Sequence, residues 1–214
     1  MHVLKIRKPF AALAACFITA VAAGQMDQPM HGHRAEGVKV GEKAPDFTLA
    51  DLNGQEHKLS DLTSQGKVVV LEWFNPGCPF VKHHYAPKFN TMNALADKYR
   101  DQNVAWLRIN SGAPGKQGAG LETNKAAAAE WKIKDPILLD ESGKVGHAYG
   151  SRNTPTMVVI DSTGTIAYFG AIDNDPRGDS DDHVNYVDKA LTEVLAGETV
   201  TTAQTKPYGC GVKY

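Results

Sequence analysis

Apolar residues along this chain occur in short runs that are rich in β-branched side chains and predict buried strands. The predicted strands cover residues 68–74, 104–109, 136–140, 155–161 and 165–170. The last two are separated by Ser162-Thr-Gly164 and form an antiparallel pair. Nearer the start, residues 44–49 and 57–59 predict a short hairpin around the turn Asn53-Gly54.

Helical spacing appears between these runs. After Cys78, apolar side chains recur at three- and four-residue steps and predict a helix to about Arg100, kinked near Pro87. Further helices are predicted over residues 121–131, 144–149 and 181–196. The order β-α-β-α followed by β-β-α predicts an α/β fold, in which helices flank both faces of a central mixed β-sheet. The Asp-rich residues 173–179 predict a solvated surface loop.

The first residues have the pattern of an export signal. Three cations precede an apolar stretch over residues 10–23, which predicts a signal peptide over residues 1–23 and a periplasmic or secreted protein. Cys16 lies within that stretch, and because the stretch continues well past it, lipoprotein anchoring at Cys16 is disfavoured. The predicted boundaries that follow are a flexible leader over 24–37, a domain over 38–196 and a tail over 197–214.

The composition argues against two classes of partner, nucleic acids and a membrane that the chain would span. Lys and Arg number 23 against 24 for Asp and Glu, so the chain has no basic excess that would favour nucleic acid. No apolar run reaches the roughly 18 residues that a membrane-spanning helix requires, so no stable span is expected.

Cys78 is the main candidate for chemistry. Asn75-Pro-Gly77 breaks the first central strand, and Cys78 follows at the predicted N-terminus of a helix whose first residue is Pro79. A helix N-terminus favours a thiolate over a thiol, and Lys82, four residues on, adds a cation on nearly the same face. The pattern predicts a nucleophilic sulfur with a lowered pKa; the alternative is an inert buried thiol.

Cys210 is the other cysteine that remains after removal of the signal peptide. An even pair in an exported protein predicts a Cys78–Cys210 disulfide, which is either a structural staple or a cycling bridge. Glycines flank Cys210 and the tail has little apolar content, so we predict a mobile tail and a labile bridge.

A copper-binding or copper-delivery protein is the alternative function. Its candidate ligands are Cys78, Cys210, His83 or His84, and the leader residues Met26, Met30, His31 and His33. These are ligand types that suit copper, but His83 and His84 point away from Cys78 on a helix, and a Met/His tract is more often a flexible leader. We therefore predict no metal site and no cofactor.

Residues 38–196 resemble the thioredoxin-like superfamily, and within it an exported redoxin, or peroxiredoxin-like, branch related to the AhpC/TSA group. Cys78 falls on the first cysteine of the family's Cys-x-x-Cys motif, and Glu72 falls on its buried carboxylate. Thr154-Pro155 matches the cis-proline loop, and Pro87 lies near the helix-kinking proline. The ending Tyr-Gly-Cys-Gly-Val-Lys-Tyr resembles the tail of this branch, which pairs a helix cysteine with a C-terminal one.

The resemblance implies a thiol–disulfide oxidoreductase. In it Cys78 attacks a substrate disulfide, Cys210 resolves the mixed disulfide, Glu72 relays protons, and Thr154 and Pro155 hold the substrate backbone. The implied partners are a thiol- or disulfide-containing substrate and a reductant.

The sequence departs from family patterns in two respects. Val81 stands at the second cysteine of the motif, so no bridge can close within the helix turn. Leu71 and Asn75 stand where a peroxiredoxin has proline and Thr or Ser, which leaves antioxidant peroxidase activity as a weaker alternative.

Overall fold

The computed structural model describes residues 1–2 and 37–214. The predicted signal peptide, Cys16, and the leader residues proposed as copper ligands lie outside the described residues. Contacts divide the chain into two units, Met1–His33 and Arg34–Tyr214, and all that follows concerns the second unit. Within the described residues, no helix combines the length and the apolar character needed to cross a membrane.

The strands and helices follow the predicted order. The strands are β1 (Thr48–Ala50), β2 (Glu56–Lys58), β3 (Val68–Trp73), β4 (Val104–Asn110), β5 (Ile137–Leu139), β6 (Asn153–Thr154), β7 (Met157–Ile160), β8 (Ile166–Gly170) and β9 (Cys210–Gly211). The helices are α1 (Leu59–Ser64), α2 (Pro79–Tyr85), α3 (Thr91–Tyr99), α4 (Leu121–Glu130), α5 (Lys144–Tyr149) and α6 (Tyr186–Leu195). Of these, α1, β6 and β9 are not predicted by the sequence pattern.

The central sheet has the strand order β5-β4-β3-β7-β8. β3 pairs in parallel with β4, and β4 with β5, whereas β7 is antiparallel to both β3 and β8. The sheet is therefore mixed, as predicted, and β3 at its centre is buried along its whole length. Continuous burial explains why its sequence is almost uniformly apolar rather than alternating.

Helices cover both faces of the sheet, which confirms the predicted α/β arrangement. Val70 and Phe74 pack on one face with residues of α2, α3, α4 and α6. Val69, Leu71 and Trp73 pack on the other face with residues of α1 and α5. Because side chains alternate along a strand, β3 contributes to both cores and fixes the position of the turn that follows it.

Pro87 ends a helix instead of kinking one, so the predicted continuous helix to Arg100 is wrong. α2 stops at Tyr85, and Ala86 has extended backbone angles, φ −61° and ψ 141°. The residue before a proline is disfavoured in the helical region, which accounts for the break. A new helix, α3, begins only after Asn90, which has a left-handed backbone with φ 47°.

The C-terminal tail, for which the sequence predicts mobility, is docked on the domain in this structure. Its backbone pairs with β8 and then forms β9, which is antiparallel to β6 in the register Thr154↔Cys210. Gly209 has φ +114°, and a Cβ built there would lie 2.0 Å from the Thr154 carbonyl oxygen. This glycine therefore permits a close approach between backbones, a requirement that its sequence context does not distinguish from flexibility.

Candidate active site

Cys78 lies where the sequence predicts, at the N-cap of α2. Its extended backbone, φ −81° and ψ 124°, follows the turn that ends β3, and Pro79 is the first helical residue. The Cys78 N–H donates to the Asn75 carbonyl at 3.0 Å, which closes the turn. A strand buried on both faces thus delivers the cysteine to a fixed point.

A glycine-rich loop after β4, residues 111–118, packs against this turn. Asn75 Nδ2 donates to the Gln117 carbonyl at 3.1 Å, and Gln117 Nε2 donates to the Gly77 carbonyl at 2.8 Å. Gly118 packs so closely that a Cβ there would lie 1.9 Å from Asn75 Oδ1. The loop has a structural function beside Cys78, and its glycine allows close packing.

The Cys78 sulfur is enclosed, with 0% of the residue exposed. Its Sγ donates to the Thr154 carbonyl at 3.1 Å, and the Thr154–Pro155 peptide is cis. The structure therefore confirms that a cis-proline loop faces the cysteine. The β6–β9 register places Cys210 opposite Thr154, so the tail brings the second cysteine to the same point.

Both cysteines are reduced, and their sulfurs interact. Burial raises the pKa of Cys78, but interactions with Thr154, with Cys210 and with the Val81 N–H outweigh it, and the net pKa lies below its ordinary value. Burial and the adjacent Cys78 sulfur raise the pKa of Cys210 to about 11. The opposite shifts mean that Cys78 ionises before Cys210, which suits a nucleophile at Cys78 and a protonated second thiol at Cys210.

Glu72 is fully buried, as predicted. Tyr85 Oη donates to its Oε1 at 2.7 Å, Trp106 Nε1 donates to its Oε2 at 3.0 Å, and Arg108 Nε lies 3.4 Å from Oε2. Burial raises the pKa of Glu72 above its ordinary value, although Arg108 and both donors act to lower it. The carboxylate ties β3 to β4 and α2 through these three partners.

Arg108 is the main residue beside the site that sequence reasoning missed. It is fully buried, lies opposite Glu72 in the parallel β3–β4 register, and contacts Asp135 at 3.1 Å. Its signal in the sequence is a single cation within the otherwise apolar run of β4. Because a buried charge needs a partner, a cation in a central strand indicates an acidic residue on a neighbouring strand, and Glu72 on β3 is that residue.

Lys82, predicted to add a cation beside Cys78, lies at the surface of α2. Its side chain is exposed, and the interactions that lower the pKa of Cys78 come instead from Thr154, Cys210 and Val81. Lys82 borders an open groove of about 960 Å³ with Gly77 and Trp131. Because water and salt screen an exposed charge, we expect Lys82 to have a small influence on the Cys78 thiol.

The two histidines of α2 are engaged elsewhere. The His83 ring lies 3.8 Å from the Phe89 ring, and His84 is buried with Nε2 at 2.8 Å from the Tyr208 hydroxyl. Across residues 37–214 no group of three or more His, Cys, Asp or Glu side chains is placed to hold a metal ion. The proposed copper ligands of the domain are therefore not brought together with Cys78 and Cys210.

Comparison with known proteins agrees with this geometry. Residues 40–169 match the AhpC/TSA family. The thiol-disulfide oxidoreductase ResA of Geobacillus thermodenitrificans is 35% identical over 129 residues, which cover 60% of this chain and 67% of ResA.

Two solved structures extend the comparison. An uncharacterized conserved protein from Geobacillus kaustophilus superposes with a TM-score of 0.74 at 28% identity, over 82% of this chain and 92% of that one. The thioredoxin domain of a thiol-disulfide oxidoreductase from Bacteroides vulgatus gives a TM-score of 0.51 at 20% identity, over 62% and 89% of the two chains, and shows the fold alone. With a mixed sheet, a cysteine at the N-cap of α2 and a facing cis-proline, this chain belongs to the AhpC/TSA family and has a thioredoxin-like fold.

Proposed function

We propose that this protein is an exported thiol–disulfide oxidoreductase that uses Cys78 as the nucleophile and Cys210 as the resolving cysteine. The observation that carries the proposal is the pairing of β9 with β6, which sets Cys210 beside the enclosed Cys78 sulfur. The opposite pKa shifts of the two thiols support the assignment of roles. Similarity to ResA supports the reaction class.

The reaction consists of two thiol exchanges. The Cys78 thiolate attacks one sulfur of a substrate disulfide, forms a mixed disulfide, and releases the first substrate thiolate. The Cys210 thiolate then attacks Cys78 Sγ and releases the second substrate thiolate. The substrate gains two electrons, and the protein is left with a Cys78–Cys210 disulfide, which an external dithiol reductant must reduce.

The charge on Cys78 determines when Cys210 can attack the mixed disulfide. While Cys78 is a thiolate, it raises the pKa of Cys210 and keeps that thiol protonated. Burial is the largest cause of the raised pKa of Cys210, and formation of the mixed disulfide removes the second cause, the Cys78 charge, so that Cys210 ionises more easily. Cys210 is thus activated only after the substrate is bound covalently.

The tail occupies the backbone edge where Thr154 and Pro155 would hold a substrate. β9 pairs with β6, and Cys78 is enclosed beneath it. A substrate disulfide therefore reaches Cys78 when the tail lifts, and takes the tail's place beside Thr154. Export to the periplasm or the medium, as the N-terminal pattern predicts, suits such a pair because these compartments permit disulfides.

A single-turnover reaction with glutathione disulfide tests the proposal. The reduced protein should reduce one equivalent, lose two hydrogens in intact mass, and yield a Cys78–Cys210 cross-linked peptide. The Cys210→Ser variant should stop with glutathione attached to Cys78, and Cys78→Ser should not react. A wild-type protein that stops at the mixed disulfide would remove the resolving role of Cys210.

A further inference from the structure

His84, Asp173 and Tyr208 meet beside the part of the tail that carries Cys210, but they do not contact the reacting sulfurs through the hydrogen bonds described below. His84 lies on α2, the helix that begins after Cys78, and Asp173 follows β8. Tyr208 lies two residues before Cys210. His84 and Asp173 are 1% and 3% exposed, although the sequence predicts a solvated loop over residues 173–179. We call these three residues the tail clamp.

The hydrogen bonds in the tail clamp have a fixed direction. The Tyr208 hydroxyl donates to Asp173 Oδ1 at 2.5 Å, and His84 Nε2 lies 2.8 Å from the same hydroxyl oxygen. Since the hydroxyl has one proton and gives it to Asp173, His84 must donate from Nε2. The backbone N–H of Asp175 and the ring of His183 hold Asp173 in place at 3.0 and 3.1 Å.

This direction leaves His84 with an unsatisfied atom. With its proton on Nε2, the buried Nδ1 has no hydrogen-bond partner among the described residues and lies 4.0 Å from Asp173 Oδ2. Burial lowers the pKa of His84 to about 4, so the ring is neutral near pH 7. An apolar ring would avoid the unsatisfied Nδ1. What the histidine adds is the Nε2–H given to Tyr208.

We propose that Tyr208 and His84 are positioning residues that hold the tail closed over Cys78 and keep Cys210 in register with Thr154. This inference rests on the proposed function, in which Cys210 resolves the mixed disulfide. Only Gly209 separates Tyr208 from Cys210, and that glycine packs against the Thr154 carbonyl. Restraint of the Tyr208 hydroxyl is therefore transmitted directly to the Cys210 backbone.

The closed fraction of the tail can be measured in the reduced protein. Because Cys78 is fully enclosed, an alkylating agent reaches it only when the tail opens, and its modification rate follows the open fraction. A hydrogen bond to a charged group contributes about tenfold or more to such an equilibrium. Removal of the Tyr208 hydroxyl should then expose Cys78 about tenfold more often.

Tyr208→Phe is the test variant, because the ring contact with Phe80 at 6.0 Å can persist without the hydroxyl. Tyr149→Phe is the matched control: it removes a hydroxyl that donates to the Pro45 carbonyl instead of to a carboxylate, and its ring packs on the opposite face of the sheet. Iodoacetamide labelling of Cys78, followed by peptide mass spectrometry across a pH series, separates access from thiolate fraction. We expect a plateau rate about tenfold higher for Tyr208→Phe, and a rate within about twofold of wild type for Tyr149→Phe.

The His84 variants supply an independent test if Tyr208→Phe does not fold. His84→Phe should raise the Cys78 rate as Tyr208→Phe does, whereas His84→Gln, which retains an N–H donor, should restore part of the closure. Combining His84→Phe with Tyr208→Phe should add little to either change, since both break the same contact.

The disulfide equilibrium gives a further readout. A bridge that never forms in the wild type would contradict the proposed function, and the labelling rates would still decide the clamp. If the bridge forms, but Tyr208→Phe and His84→Phe label Cys78 at the control rate, the clamp is overturned.

Discussion

The two cysteines are held by different kinds of structure. Cys78 follows β3, which is buried on both faces, and its turn is fixed by the loop around Gln117. Cys210 lies on a half-buried tail that is held by a two-residue strand and by polar contacts at its edges. One sulfur thus belongs to the core of the fold, and the other belongs to a segment with fewer contacts, whose detachment the proposed reaction requires. The difference suits a pair in which one thiol attacks and the other arrives afterwards.

Glu72→Gln perturbs the fixed region around Cys78, and we expect it to have the largest effect of the substitutions considered. It leaves the buried Arg108 without its nearest strand partner, although Asp135 remains at 3.1 Å. Loss of one partner of a buried ion pair destabilises by about 3 kcal/mol, a value that urea unfolding can measure. Glu122→Gln, which changes an exposed carboxylate, should unfold like wild type. Unchanged stability with slower disulfide reduction would instead support the proton relay predicted for Glu72.

Gly209→Ala perturbs the docking of the tail that carries Cys210. The new Cβ would lie 2.0 Å from the Thr154 carbonyl oxygen, so the tail cannot dock as it does now. We expect the resolving step to slow by about a hundredfold while attack by Cys78 continues, which would appear as accumulated mixed disulfide. Gly197→Ala is the control, because its backbone also has a positive φ, +75°, but its Cβ meets nothing within 4 Å. Equal resolving rates in the two variants would refute the close approach.

His84 lies on α2, the helix that begins after Cys78, and contacts the tail. We expect it to make the free energy of unfolding depend on pH. Burial lowers its pKa to about 4, with Asp173 and Asp175 opposing, and His83 and His183 reinforcing, the shift. The pKa of His84 is lower in the folded state than in the unfolded state. The contribution of the neutral ring to the free energy of unfolding is therefore complete above about pH 6.5 and is lost as the pH falls towards 4.

Urea unfolding measures this loss. Wild type should lose about 2 kcal/mol between pH 7 and pH 5 through this residue. His84→Phe should lack that part of the loss, and parallel losses in both proteins would contradict the assignment.

Lys82→Met should have the smallest effect. Lys82 is exposed, and the groups that lower the pKa of Cys78 are Thr154, Cys210 and Val81. The titration midpoint of Cys78, taken from alkylation rates against pH, should therefore shift by less than about 0.3 units. A larger rise would restore the role that the helix spacing predicts for Lys82.

The fixed region could be predicted from the sequence, because its signals are local. A continuous apolar run indicates the buried strand before Cys78, and the Asn75-Pro-Gly turn with Pro79 indicates a helix start. The family resemblance places Thr154-Pro155 opposite Cys78, and the structure confirms it. The break at Pro87 is indistinguishable from a kink in the sequence, since both outcomes share one pattern.

The detachable region could not be predicted, because its contacts join residues that are far apart in the chain. The glycine at position 209 suggests mobility, yet it is required by a carbonyl 55 residues earlier in the chain. The acidic neighbours of Asp173 suggest exposure to solvent, and only the fold shows that Tyr208 and His84 enclose it. Likewise, the pairing of Arg108 with Glu72 depends on the β3–β4 register, which composition does not specify.

The most direct test of the paired roles of Cys78 and Cys210 is a redox titration of the purified wild-type protein in glutathione buffers, with peptide mapping of the oxidised form. We expect a single Cys78–Cys210 bridge with a potential above about −300 mV, because a lowered-pKa sulfur and a detachable tail make the bond easy to reduce. A bridge far below that value would make the tail a structural staple. Two free thiols under oxidising conditions would contradict the cysteine pair altogether.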